Sequence, residues 1–192
     1  MAIIATKVER ISGANGAADQ LVPDDKLELV KKTYAMVKKT TPDYDHSRQE
    51  MRTYEVELSD DYDVAAISEI NKRYAMAQSY LTRISTIETE AANNVTNWTR
   101  LHGMLKAYLL DRESELLVKK EIIDLPNQIT QKAAVHNKLK KIHETLTNFN
   151  DQILQAENYR QIVVLKKKDL QSVLTNLNRQ QKALETERPG GY

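Results

Sequence analysis

The 192-residue sequence has no cysteine, five glycines, four prolines, one phenylalanine and one tryptophan. Without thiols there is no disulfide, no thiolate nucleophile and no zinc–thiolate site. So few glycines and aromatics argue against a compact α/β core. They favour elongated helices built from Leu, Ile, Val, Ala, Lys, Glu, Gln, Asn and Thr. The net charge is +1, so bulk attraction to nucleic acid is missing and any basic function must come from local clustering. No apolar run approaches the roughly 18 residues of a membrane span. The Met1-Ala2-Ile3-Ile4-Ala5 start reaches charge at Lys7, Glu9 and Arg10 too soon for a secretory signal. The expectation is a protein without a membrane partner, working in cytoplasm or in a particle assembled there.

Structure-breaking residues are equally scarce. Between Asp43 and Arg188 only Gly103 and Pro126 punctuate the chain. Pro126 lies near the middle of that span, which predicts two very long helices folded back at one turn. Residues 1–60 read as an arm, a short helix and a linker. Ala2 to Ile11 alternates as a short strand or extended tail would, and Ser12-Gly13-Ala14-Asn15-Gly16 is a loop signal. Pro23-Asp24-Asp25 opens a helix with acids at its positive end. Leu27, Val30, Tyr34 and Val37 follow at 3-4-3 spacing, and Thr40-Thr41-Pro42-Asp43 closes that helix. Residues 43–63 read as a linker or short edge element, in which Thr53 to Leu58 alternates at period two.

The first long helix is expected from about Asp61 to Asp124. Its seam holds Ile67, Ile70, Tyr74, Ala77, Leu81, Ile84, Glu88, Ala91, Val95, Trp98, His102, Leu105, Leu109, Arg112 and Leu116 in an unbroken 3-4 register. Gly103 falls beside that seam, where the helix can bend without stopping. Asp124-Leu125-Pro126-Asn127 makes the reversal, with proline suited to the first turn of a second helix. That second long helix runs from about Asn127 to Glu187. Leu139, Ile142, Leu146, Phe149, Ile153 and Ala156 keep the register. It slips between Glu157 and Leu165, then resumes with Leu170, Val173, Leu177 and Leu184. Secondary apolar positions (Val118, Ile122, Ile123, Ile162, Val163, Val164) call for further helices alongside, from residues 24–40 or from other copies. The fold class is therefore all-α: a long antiparallel, coiled-coil-like hairpin over 61–188 turning at Pro126, with a tail at 189–192. A homo-oligomer is expected.

Chemistry is thin by comparison. His136 and His143 lie seven apart, unlike the three- or four-residue spacing of helical metal ligands. No nucleophile elbow surrounds any Ser, His or Asp. Gly13-Ala14-Asn15-Gly16 lacks the Gly-Lys-Ser/Thr of a phosphate loop. The reading is of no catalytic residue, no metal and no cofactor. Basic clusters stand out instead: Lys31, Lys32, Lys38 and Lys39 on the short helix, then Lys138, Lys140 and Lys141, then Lys166, Lys167 and Lys168. They are either solvated faces balanced by nearby acids or contacts to a single-stranded nucleic-acid backbone. The second reading also needs flat side chains on which bases stack, and Tyr34, Tyr44, Tyr54 and Tyr159 are at hand. Repetition around an oligomer would multiply a modest patch.

The stretch Tyr80-Leu81-Thr82-Arg83-Ile84-Ser85, with Trp98 and Tyr108 further on, resembles the N-terminal helical part of UvsY-type recombination mediators of tailed phages. Leu170-Gln171-Ser172-Val173-Leu174-Thr175-Asn176-Leu177-Asn178-Arg179 is similar to that family's C-terminal helix. The resemblance covers roughly residues 60–188. It implies a ring-forming helical protein that binds single-stranded DNA and helps a recombinase displace the single-strand-binding protein. It implies no catalytic residue, no required cofactor, and a place in the cytoplasm of an infected bacterium. The rival expectations are a helical component of a phage neck, tail or baseplate, contacting other virion proteins, and a generic coiled-coil scaffold.

Overall fold

The structure, a computed structural model, describes residues 25–58 and 67–187. The expected strand at Ala2–Ile11, the expected helix start at Asp61 and the tail lie outside those residues. The described chain is all-α, with no strand. Its helices are α1 (Asp25–Thr40), α2 (Tyr44–Arg52), α3 (Ile67–Leu117), α4 (Lys120–Ile123) and α5 (Gln128–Glu187). The long helices α3 and α5 form a helical hairpin. No helix among the described residues is long and apolar enough to cross a membrane.

Local chemistry sets the helix ends. In α1, Asp25 and Glu28 occupy the first turn and Lys38 and Lys39 the last, each matching the helix dipole. Residues 43–63 contain a helix where the sequence suggested a linker. Asp43 caps α2 by accepting the amides of Asp45 and His46 at 3.1 and 3.0 Å. With Met51 as its one buried residue, α2 offers almost no apolar periodicity to read. The strand expected at Thr53–Leu58 is irregular chain instead. Val56 packs inward against the cluster of Ile70, Ala77 and Leu177, while Glu55 and Glu57 face solvent. The alternation is real, but no neighbouring strand exists among the described residues to pair with.

The reversal also differs from expectation. The helix α3 stops at Leu117, well before Pro126. The break at Val118-Lys119 re-aims the chain so that Ile122 of α4 joins Leu109, Val135 and Leu139 in one apolar cluster. Proline therefore does not end the first long helix. Asn127 starts the second: its Oδ1 accepts the Thr130 amide at 2.9 Å, and Thr130 Oγ1 accepts the Asn127 amide at 3.3 Å. This is the reciprocal geometry of a capping box, and it leaves Pro126 just outside the helix.

The chain divides into two compact units, each holding a stretch of both long helices. Unit one is Met1–Thr40 with Val95–Leu154; unit two is Thr41–Asn94 with Gln155–Tyr192. In unit one, Tyr34 of α1 stacks on Phe149 of α5, centroids 5.6 Å apart, and meets Trp98 of α3 edge-on at 6.0 Å. In unit two, Met51 of α2 and Tyr54 beyond it pack with Ile84, Ile87, Ala91, Tyr159, Val163 and Leu170.

These third-helix contacts explain why the burial pattern of α3 is wider than its expected seam. The row Ile70, Ala77, Ile84, Ala91, Trp98 and Leu105 is buried as expected. The companion row Ile67, Tyr74, Leu81, Glu88, Val95 and His102 is only half-buried. From residue 87 onward, a different row (Ile87, Asn94, Leu101, Tyr108) is fully buried. On α5 the expected slip is absent. Phe149, Ala156, Tyr159, Val163, Leu170 and Leu177 are all buried at spacings that fit one 3-4 register, with polar Gln152 and Lys166 half-buried between them. Tyr159 and Val163 carry the register through the stretch where the slip was expected.

Leu101 is 0% exposed, so Leu101→Ala should cost about 2–5 kcal/mol in urea-unfolding free energy. At Gly103 a Cβ would meet nothing within 4 Å and the helix runs on unbroken, so Gly103→Ala should add about 0.5–1 kcal/mol. A loss on Gly103→Ala, or a Leu101→Ala variant as stable as the parent, would contradict this packing.

Candidate nucleic-acid interface

The basic clusters separate once their partners are known. On α1, Lys31 Nζ lies 2.8 Å from Glu28 Oε1. Lys32, Lys38 and Lys39 are exposed and form no ion pair with another described residue. On α5, Lys138 pairs with Glu121, and Lys140 approaches Glu144 at 3.9 Å. Lys141 is exposed and outside any such pair. In the third cluster Lys167 reaches across to Glu88 of α3 at 2.6 Å, with both side chains about three-quarters buried. Glu88, a polar seam residue in the sequence, is thereby matched within unit two. Lys166 is half-buried and Lys168 exposed.

The stretches 25–40 and 95–154 of unit one hold fourteen Lys and Arg against nine Asp and Glu. The stretches 41–58, 67–94 and 155–187 of unit two hold eleven against twelve. Counted over the full sequence within the same bounds, unit one holds sixteen Lys and Arg against twelve Asp and Glu, and unit two twelve against fifteen. The near-neutral total therefore hides a basic unit and an acidic one. Summing over the whole chain erases this contrast, which only the division into units makes visible.

The aromatics do not line that basic surface. Tyr34 packs in a three-ring cluster with Trp98 and Phe149, which also meet each other at 5.7 Å between centroids. Tyr159 is 1% exposed and packs against Tyr44 at 4.7 Å between centroids. Tyr54 is buried and stacks on Tyr80 at 4.8 Å. All four tyrosines named as base-stacking candidates are committed to packing.

Two polar clusters in unit two pin α2 to the long helices. Buried Asn94 donates from its amide to the Tyr44 hydroxyl, and its carbonyl oxygen accepts from Thr41 Oγ1 at 3.2 Å. Burial raises the Tyr44 hydroxyl above its ordinary value, with the Asn94 bond acting in the opposite direction. Burial likewise raises Tyr159. In the second cluster, Arg83 Nε meets Glu50 Oε1 at 2.8 Å and Arg83 Nη2 meets Oε2 at 3.3 Å, a two-pronged pairing. The Tyr54 hydroxyl donates to the same carboxylate. Burial first, and then that bond, push Tyr54 up to about 12. Hydrogen bonds from Arg83 and then Tyr54 hold the Glu50 carboxyl below its usual range. Arg83, part of the Tyr80–Ser85 stretch that carries the family resemblance, is occupied in this clamp.

The remaining polar features are sparse. His136 and His143 stack with centroids 4.3 Å apart, and His143 Nε2 lies 3.5 Å from Glu113 Oε1. A half-open groove at the start of α2 is lined by Asp43, Tyr44, Asp45, Arg48, Gln155 and Asn158. The Arg112 guanidinium bonds the Tyr108 hydroxyl at 3.1 Å and pairs with Glu115. No family model, curated protein or solved structure matches this chain.

The Glu50 clamp gives a pH dependence. Its folded value is depressed, so its contribution is present above the ordinary carboxylate range and is lost as pH falls through the folded value. Glu50→Gln should lower stability at neutral pH and flatten the loss between about pH 5 and the folded value. Thermal unfolding across that window reads it, and parallel curves for parent and variant would refute the clamp.

Proposed function

We propose that this chain is a non-catalytic, homo-oligomeric phage protein that binds single-stranded DNA through its phosphates and helps load a recombinase. The observation that carries the reading is the basic excess of unit one. There Lys32, Lys38, Lys39 and Lys141 stand exposed with no carboxylate partner among the described residues. The packed tyrosines narrow the mode of contact. With Tyr34, Tyr44, Tyr54 and Tyr159 engaged in the protein, base stacking is left without its candidate platforms. Binding should then depend on charge and salt and be indifferent to base sequence. The recombinase and the bacterial host come from the family resemblance of residues 60–188 alone. A second reading, a helical subunit of a phage particle, is favoured by the bare apolar side chains around the hairpin reversal, which suit contact with other proteins.

Polarisation of labelled oligonucleotides tests the first reading. Oligo-dT and mixed-sequence strands should bind alike, with log affinity falling linearly as log salt rises. Replacing Lys32, Lys38, Lys39 and Lys141 together by alanine should make that slope shallower by about 3, at about 0.7 per phosphate contact. Flat titrations at low salt would remove DNA binding and leave the particle reading, for which co-sedimentation with virions is the check.

A further inference from the structure

The reversal end of unit one carries an unusual surface. Leu117, Val118, Ile123 and Ile129 are 40%, 74%, 55% and 81% exposed. They sit beside Ile122, which is buried in the core of the same unit. Exposed aliphatic side chains gathered in one short stretch mark a contact surface. Lys119, Lys120 and Lys132 lie among them in the sequence; all three are exposed, and none forms an ion pair with another described residue. Glu121 and Asp124 are exposed in the same stretch, but Glu121 pairs with Lys138. That leaves three lysines against one carboxylate outside such pairs. The surface is apolar and net basic, so its occupant should be apolar and acidic.

The chain itself supplies that chemistry in unit two. Between Arg52 and Lys72 the sequence has six acidic residues and no basic one. Within this stretch Glu55, Glu57 and Leu58 are exposed, while Val56 anchors the strip to the core. Two carboxylates and one leucine are presented outward on irregular chain beyond α2.

We propose that the apolar, lysine-flanked reversal of one copy docks the acidic strip Glu55–Leu58 of a second copy. The two surfaces differ, so the contact is heterologous and joins subunits head to tail into a closed ring or an open filament. Charge sets the pairing and its direction, and the aliphatic residues supply the buried area. The proposal rests on the oligomeric part of the proposed function and not on DNA binding.

Charge reversal tests it. One variant carries Lys119→Glu and Lys120→Glu; the other carries Glu55→Lys and Glu57→Lys. Light scattering over a concentration series reads the mass. The parent should exceed the 22.0 kDa of one chain. Each variant alone should need roughly tenfold more protein to assemble. Mixed in equal amounts, the two should recover parental assembly, because each restores the partner that the other lacks. Circular dichroism confirms that both variants are folded. The proposal is overturned by a parent that stays monomeric, by variants that assemble like the parent, or by mixtures that stay apart. It is also overturned if the reversal variant loses binding to anionic vesicles while its mass is unchanged. Oligonucleotide titrations of the same proteins separate this outcome from the failure of the DNA reading.

Discussion

The apolar face of α3 is too wide for one partner helix, and the arrangement of the described chain depends on that. A two-stranded seam covers two rows of side chains spaced three and four apart. Here the row through Ile84, Ala91, Trp98 and Leu105 faces the hairpin, and a flanking row through Ile87, Leu101 and Tyr108 is also buried. Leaving that flank in water would forfeit about 25 cal/mol for each Å² of apolar surface. In unit two, α2 and the strip behind it meet this flank through Met51 and Tyr54. In unit one, α1 adds Tyr34 to the ring cluster of Trp98 and Phe149. A helix that looks subsidiary in the sequence thus completes the core of its unit.

Polar residues then fix what apolar contact leaves free. Apolar packing resists sliding weakly, because one aliphatic side chain can replace another. Asn94 is buried and satisfied only if Thr41 and Tyr44 stand where they do. The Glu50–Arg83–Tyr54 clamp sets the end of α2 in the same way. The pair Lys167–Glu88 ties α5 to α3 within unit two. Removing one member of such a group leaves a half-buried charge or polar atom unmatched, which costs more than the contact itself contributes. Basic residues drawn into this work are lost to any ligand, and so the functional reading rests on the exposed, unmatched lysines of unit one.

The helical hairpin was legible in the sequence because long 3-4 spacing and scarce punctuation are properties of the chain alone. The buried row from Ile70 to Leu105 was legible for the same reason. The flanking row was not, since Asn94 and Tyr108 break its aliphatic look, and Ile87 and Asn94 are covered by residues of α2 and its flanks. Helix α2 was not legible, because nine residues with Met51 as the one buried side chain carry almost no periodicity, although Asp43 is a capping residue type. No structure-breaking residue marks Val118-Lys119, where α3 ends and the chain turns to bury Ile122. Of the candidate interface, the positions of the lysines were legible. Their ion pairs depend on residues distant in sequence, such as Glu88 for Lys167, and the packing of the tyrosines depends on the fold.

The single tryptophan gives the most direct test of the central claim, that a third helix completes the core around α3, which in unit one is α1 laid against Trp98. Trp98 should emit at short wavelength and resist acrylamide quenching in the intact chain, since it is 3% exposed. Tyr34→Ala removes the ring that α1 lays against it. Quenching should then rise several-fold and the emission shift to the red while helicity is retained. If Trp98 is quenched freely in the parent, or if Tyr34→Ala leaves its quenching unchanged, α1 does not cover this face and the claim is contradicted.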